Sequence, residues 1–345
     1  MKIKVAGFIL FSFISVLLRA QCTLNKLPLE SQTGDYSFIV SGHFHGSSAN
    51  QSTFPAATIL NGIDTLNALK PAFLISLGDM FVDVNETTIE HYTTSLFNKL
   101  KMPLLNAVGN HDVSNGNMYK AHYGKSVCIF PCKKQLFIVL NTEQDDGNIR
   151  GDQLDLLKST LADVATPYFD QFFVFTHRPV WAEGNPRYAN LFKDNTQSKL
   201  GKPNFENEIL PLFQHLKKPV YWFSGSMGGG PSSFFYDRNE KDGITYIQTA
   251  IRDTPRDAVL QVQIKNGNIF FKGISLTGQK LEPIETYNID YWKENTAPEE
   301  KFNYRLLPYL AWLTVTHRYF WIGLATGIIL LFFLTALIKK WRRKK

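Results

Sequence analysis

Short apolar runs alternate with amphipathic stretches over most of this chain. Ser37–Val40, Ala72–Leu77, Leu104–Val108, Leu136–Leu140, Phe172–Phe175 and Val220–Phe223 are compact and mostly apolar, with polar or turn-forming residues around them. Such runs predict strands covered on both faces, as in a parallel sheet. Between them the period changes. Ala56–Leu69 puts Ile59, Ile63, Leu66 and Leu69 on one helical face, and Glu86–Leu100 does the same with Ile89, Tyr92, Leu96 and Leu100. Gln153–Leu161, with Leu154, Leu157 and Leu161 inward, and Phe205–Leu216 complete the helices. After the glycine-rich loop Ser224–Gly230 only strands are expected, at Ile244–Gln248, Val259–Ile264 and Ile269–Ile274. The last two are joined across Asn266-Gly267, a hairpin signal. Alternation of strand and helix over about 240 residues predicts an α/β domain, residues 34–276. There is no internal repeat.

The two ends have a different pattern. Lys2 and Lys4 precede an apolar run, Val5 to Leu18, then Arg19 and Ala20. This reads as a signal peptide over residues 1–20; the run is short for a membrane span. Lipidation of Cys22 is set aside because Gln21 is too large for the residue preceding a lipidated cysteine. Trp321 to Ile338 carries no charge, begins on Tyr319, Phe320 and Trp321, and is followed by six positive charges between Lys339 and Lys345. Residues 319–338 are therefore expected to span a membrane, with the basic tail 339–345 on the cytoplasmic side. The large domain would lie outside the cytoplasm, and polar residues 277–318 would form a stalk and juxtamembrane segment.

Charge changes the picture once these ends are known. The formal net charge is +7; without the leader's three cations and the tail's six, the body is left at about −2, which gives no case for nucleic acid as a partner. Of the three cysteines, Cys128 and Cys132 could close a small loop in an oxidising compartment, leaving Cys22 over, or be small buried residues. Neither their spacing nor any Cys/His pattern reads as a metal site. Asn85-Glu86-Thr87 fits a glycosylation acceptor.

The candidate chemistry sits where strands end. His43 and His45 follow the first strand, Asp79 the second, Asn110 and His111 the third, and His177 the run Phe172–Phe175. Each alone reads as an ordinary turn or loop residue. Four loops at one edge of a sheet, each delivering one or two metal-type ligands, is how an α/β enzyme assembles a site. Aspartate suits a shared carboxylate, histidine a borderline ion such as zinc or iron, and asparagine a neutral oxygen ligand. Arg178 could clamp a phosphate oxygen or be an ordinary salt-bridged arginine. The glycines from Gly225 to Gly230 could cradle an anion or form a plain loop.

In order and spacing these residues resemble the calcineurin-like metallophosphoesterases over roughly Asp35 to Leu276. Leu77-Gly78-Asp79 resembles that family's Gly-Asp motif, Gly109-Asn110-His111-Asp112 its Gly-Asn-His-Asp/Glu motif, and Thr176-His177-Arg178-Pro179 its isolated metal histidine. The resemblance implies a four-layer α/β/β/α sandwich and a two-metal phosphoesterase site bridged by Asp79. In that scheme His111 contacts the phosphate and helps the leaving group, so Asp79 and His111 are the implied catalytic residues.

Two motifs depart from the pattern. Where the family has Asp-x-His, this chain has Ser41-Gly42-His43-Phe44-His45-Gly46, which aligns either with Ser41 or Gly42 at the aspartate position or with His43 there and His45 at the histidine. Where the family has Gly-His-x-His after the strand at Val220, this chain has Gly225-Ser226-Met227-Gly228. Counting what remains gives Asp79, Asn110 and His177 for one ion, and Asp79 with one or both of His43 and His45 for another. A divalent metal ion, zinc, iron or manganese, is therefore expected at one equivalent and at most two. The functional expectation is an exported, membrane-anchored phosphoesterase acting on a phosphomonoester or phosphodiester. The competing class is a pseudoenzyme that keeps the fold as a binding ectodomain.

Overall fold

The computed structural model describes residues 22–47, 50, 52–144, 147–162, 168–189, 191, 204–226, 233–295, 311, 314–315 and 318–343. The expected signal segment, residues 227–230 of the glycine-rich loop and the last two residues of the tail lie outside that set. The chain divides into two units, Met1–Phe302 and Asn303–Lys345.

The first unit is a mixed α/β domain. Its strands are β1 (Tyr36–Ser41), β2 (Leu74–Ser76), β3 (Leu104–Asn106), β4 (Cys128–Cys132), β5 (Gln135–Val139), β6 (Gln171–Thr176), β7 (Val220–Ser224), β8 (Ser233–Asn239), β9 (Ile244–Ala250), β10 (Ala258–Lys265) and β11 (Asn268–Ser275). They form a five-stranded sheet in the order β11-β10-β1-β2-β3 and a six-stranded sheet in the order β4-β5-β6-β7-β9-β8. The site-bearing strands β1, β2 and β3 are parallel, as are β5, β6, β7 and β9. Helices α1 (Ala57–Ala68), α2 (Glu86–Ser95), α3 (Met118–Tyr123), α4 (Gly151–Leu161), α5 (Leu210–Gln214) and α6 (Ile289–Glu294) accompany them.

Alternation along β1 shows how the layers pack. Phe38 and Val40 join Ile75, Leu105, Phe137, Phe173 and Phe175 in one core. Ile39, between them, joins Ile59, Ile63 and Leu66 of α1 and Ile89 and Tyr92 of α2 in a second. Phe38 is the hinge pin of the first core: its ring lies 5.2 Å from those of both Phe137 and Phe173, so the two sheets meet through aromatic contacts. Successive strand residues point to opposite faces, which is why one strand serves both cores.

Four expectations need correction. The helix from Glu86 stops at Ser95 and ends in a tighter turn, Phe97–Lys99. The run Phe205–Leu216 opens as a wide π turn, Phe205–Ile209, because Pro211 in the first turn of α5 has no N–H for a regular helical bond. Residues expected in a polar stalk pack on the domain instead, since Ile284, Tyr287, Ile289 and Trp292 are buried. That segment covers β8: Tyr236 N–H donates to the Tyr287 carbonyl at 2.9 Å, and Trp292 Nε1–H to the Phe234 carbonyl at 3.1 Å.

The fourth correction concerns the cysteines. The disulfide joins Cys22 to Cys128, with their Cα atoms 6.2 Å apart, and Cys132 is a buried thiol outside it. Cys128 and Cys132 are the two ends of β4, so four extended steps hold their Cα atoms about 13 Å apart, beyond the roughly 7 Å a disulfide can span.

The second unit contains α7 (Arg318–Arg342), 25 residues with a mean hydropathy of 2.4 over its most apolar window. It is long and apolar enough to cross a membrane and is compatible with a single-pass anchor.

Candidate metal centre

Strand register brings the four loops together. Ser41, Ser76 and Asn106 are partners across the ends of β1, β2 and β3, and Thr176 and Ser224 across β6 and β7. The loop after β1 is tied to the end of β9: Gly42 N–H donates to the Thr249 carbonyl at 3.1 Å, and Ile251 N–H to the Gly42 carbonyl at 3.0 Å. The carboxyl ends of strands from both sheets therefore face one point.

Asp79 occupies that point. Its Oδ2 lies 3.4 Å from His177 Nε2, 3.6 Å from His43 Nδ1 and 3.9 Å from His45 Nε2. Its Oδ1 accepts the backbone N–H of His111 at 3.0 Å. Asn110 Oδ1 is 3.2 Å from His177 Nε2, and the rings of His45 and His111 are 5.0 Å apart. All six residues singled out from the sequence are thus in one place. His43, Asp79, His45 and His177 are buried, His111 is half-buried and Asn110 is exposed, so the site opens past the loop after β3.

Hydrogen bonds fix two of the rings. His177 Nδ1 is 2.8 Å from the Leu77 carbonyl and His111 Nδ1 is 2.9 Å from the Val82 carbonyl. A carbonyl only accepts, so Nδ1 is the donor in both, and Nε2 is the nitrogen each ring keeps for the site. Asp79 and His43 hold φ of 51° and 56°, in the left-handed region that non-glycine residues rarely occupy. Such backbone concentrates at functional sites.

Burial alone would raise the Asp79 carboxyl, but His177, His43 and His45 around it outweigh that and hold it well below the usual carboxylate range. Burial holds His43 well below the ordinary histidine value; Asp79 opposes the shift, while His45, His177 and Arg252 add to it. An ionised carboxylate beside a neutral imidazole is the protonation state that metal ligands need.

The residues fit a divalent ion. Both ring nitrogens of His45 are buried without hydrogen-bond partners, a costly condition that an ion bound at one of them would partly relieve. Nitrogen and oxygen ligands about 2.0–2.1 Å from a four-coordinate ion stand about 3.4 Å apart, and the Asp79–His177 and Asp79–His43 separations are of that size. Among the described residues, two groups have ligand atoms within 4.8 Å of one another: His43, Asp79 and His177, and His45, Asp79 and His111.

Other expectations resolve differently. Arg178 is held by Glu143, its Nε 2.8 Å from Oε1 and its Nη2 2.7 Å from Oε2, which is the salt-bridged reading. The N–H groups of Gly225 and Ser226 both donate to the His177 carbonyl, at 3.0 and 2.8 Å, and so are spent on the fold rather than on an anion. Asp112 is a further residue of the centre. It is buried; its Oδ2 accepts from Gly109 N–H at 2.9 Å and Asn106 Nδ2 at 3.0 Å, and its Oδ1 from Phe81 N–H at 3.1 Å. Burial, then the Asp79 charge, pushes its carboxyl up to about 6 against these hydrogen bonds. Its place as the acidic end of Asn110-His111-Asp112 was the available signal.

No family model matches the chain, and no curated protein matches it. Among solved structures, it is similar to a conserved predicted phosphoesterase from Streptococcus pneumoniae TIGR4, at 12% identity and a TM-score of 0.31, over 71% of this chain and 92% of that one. It is also similar to a cold-active protein-tyrosine phosphatase from a psychrophilic Shewanella species, at 10% identity and a TM-score of 0.33, over 76% and 84%. Likeness at this level leaves the reading of the site to its own geometry.

Proposed function

We propose that this chain is an exported, membrane-anchored, metal-dependent phosphoric ester hydrolase with a four-layer α/β/β/α domain, acting on a phosphomonoester or phosphodiester. The observation that carries this reading is the convergence of Asp79, His43, His177 and Asn110 on one buried point beside a half-open His111. A bound divalent ion would supply Lewis-acid polarisation of a phosphoryl oxygen. Asp79, His177 and Asn110 would hold it, with Asp79 ionised and His177 locked by Leu77 in the tautomer that presents Nε2. Asn110 and His111 flank the opening, where an ester would arrive. With Nδ1 committed to Val82, His111 keeps only Nε2 for the site.

Hydrolysis of aryl phosphomonoesters and diesters by the full chain in detergent, with zinc or manganese added, tests the reading. Asp79→Asn and His177→Ala should each lower kcat/KM by at least about a hundredfold, as expected when a metal ligand or its support is lost. Wild-type turnover no faster than that of Asp79→Asn would favour the second reading, a binding ectodomain without turnover. Ser226 supports that alternative, because it stands where the resembling family keeps a histidine. The six cations from Lys339 to Lys345 support a cytoplasmic tail. Protease added to sealed cells should then digest the large domain and spare the tail, and a protected domain would refute this orientation.

A further inference from the structure

The loop after β7 offers Gly225 and Ser226 where the resembling family has the first of its two histidines, and a buried serine hydroxyl is a weak ligand. The loop after β1 holds two histidines in a rigid turn. His43 N–H donates to the Gly78 carbonyl at 2.9 Å, Gly46 N–H to the His43 carbonyl at 2.8 Å, and Ala56 N–H to the Phe44 carbonyl at 2.7 Å. Phe44 between them is fully buried in the core beneath α1. With His43 at φ 56°, the turn places His43 in one ligand group and His45 in the other, and Asp79 is the one residue common to both.

We propose that this turn replaces both missing histidines: His43 completes a set with Asp79, His177 and Asn110, and His45 completes a set with Asp79 and His111. The centre then takes two divalent ions of the zinc or iron type astride Asp79, with four protein ligands for one and three for the other. This rests on the reading of the centre as a metal site. Counting motifs along the sequence left both rings to one ion, and gave one equivalent because the two histidines after β7 are missing. The geometry separates them, since each makes a close group with Asp79 and a different third residue. Both ring nitrogens of His45 are buried without hydrogen-bond partners, and a bound ion would satisfy one of them. His111 becomes a ligand in this chain, where the resemblance gave it the phosphate.

The test is metal stoichiometry on the full chain in detergent, stripped with chelator, reloaded with cobalt(II), dialysed and counted by mass spectrometry, with the cobalt visible spectrum recorded. Wild type should retain two ions, and His43→Ala and His45→Ala should each retain one. The two single variants should leave different cobalt spectra, because the surviving ions have different ligand sets. A His43→Ala protein that retains two ions, a wild type that retains one, or identical residual spectra would overturn the proposal. Melting of the apo proteins guards against misfolding, and His43→Gln, which keeps the volume, stands in if the alanine variant does not fold. Two ions without hydrolysis of any phosphate ester would defeat the hydrolase reading and leave this inference standing. Hydrolysis with ion counts unchanged in His43→Ala would do the reverse.

Discussion

Gly109 lies so close to Asp79 that a methyl group on its α-carbon would overlap the Asp79 carboxylate, and the same methyl would sit 2.9 Å from Nδ1 of His177. The loop after β3 therefore closes over the centre with no space for a side chain. Gly109→Ala is expected to cost about 1–3 kcal/mol, as overpacking does, and to release bound metal. Metal content after dialysis, alongside a urea titration, checks this. Retained metal with unchanged stability would show that the loop can back away.

Asp112 holds that loop to the one carrying Asp79. Through one buried carboxylate it joins Gly109 N–H to Phe81 N–H. Asp112→Ala leaves both donors buried and unpaired, at about 1–3 kcal/mol each, so a loss of about 3 kcal/mol or more is expected in chemical denaturation. Asp112→Asn keeps one oxygen and should lose less. Equal stability of the two variants would mean that the N–H groups find other acceptors.

The site-bearing strands could be read from the sequence because they are buried on both faces: β6 and β7 are nearly unbroken apolar runs. β4 could not, with Pro131 in its middle and a half-buried residue at every second position, as suits an edge strand. β8 ends in Asp237-Arg238-Asn239, which reads as a turn. Asp237 is tolerated there because Arg187, about 50 residues away, pairs with it at 2.6 Å and Tyr188 donates to it at 2.7 Å. The six candidate site residues were identifiable because chemistry at strand ends is local in sequence. The direction each ring takes was not, since it depends on left-handed backbone at His43 and Asp79. The buried segment around Trp292 has no period to betray it.

The Cys22–Cys128 bridge spans 106 residues. Cross-links over chains of that length contribute about 2–5 kcal/mol, largely by restricting the unfolded chain. Cys22→Ser, or reduction, should lower stability by about that much, and Cys132→Ser should leave the bridge in place. Non-reducing peptide mapping should link Cys22 to Cys128, and a Cys128–Cys132 peptide would refute the assignment.

Asp257 gives the domain a pH dependence independent of metal. Its side chain is fully buried, accepting from Thr58 Oγ1 at 2.6 Å, Arg252 N–H at 3.0 Å and Thr254 Oγ1 at 3.1 Å. Burial pushes its carboxyl up to about 7; the Asp253 charge adds to this, while the hydrogen bonds oppose it. The folded value thus lies above the ordinary carboxylate value, so the native state holds this proton more tightly than the unfolded chain does. Its contribution to stability is complete below about pH 4 and is lost as pH rises through about 7. Asp257→Asn cannot ionise, so its stability relative to wild type should improve steadily from pH 5 to pH 8. Urea midpoints measured across that range would show the two curves converging or crossing towards high pH. Parallel curves would mean that the hydrogen bonds from Thr58, Arg252 and Thr254 keep Asp257 ionised throughout.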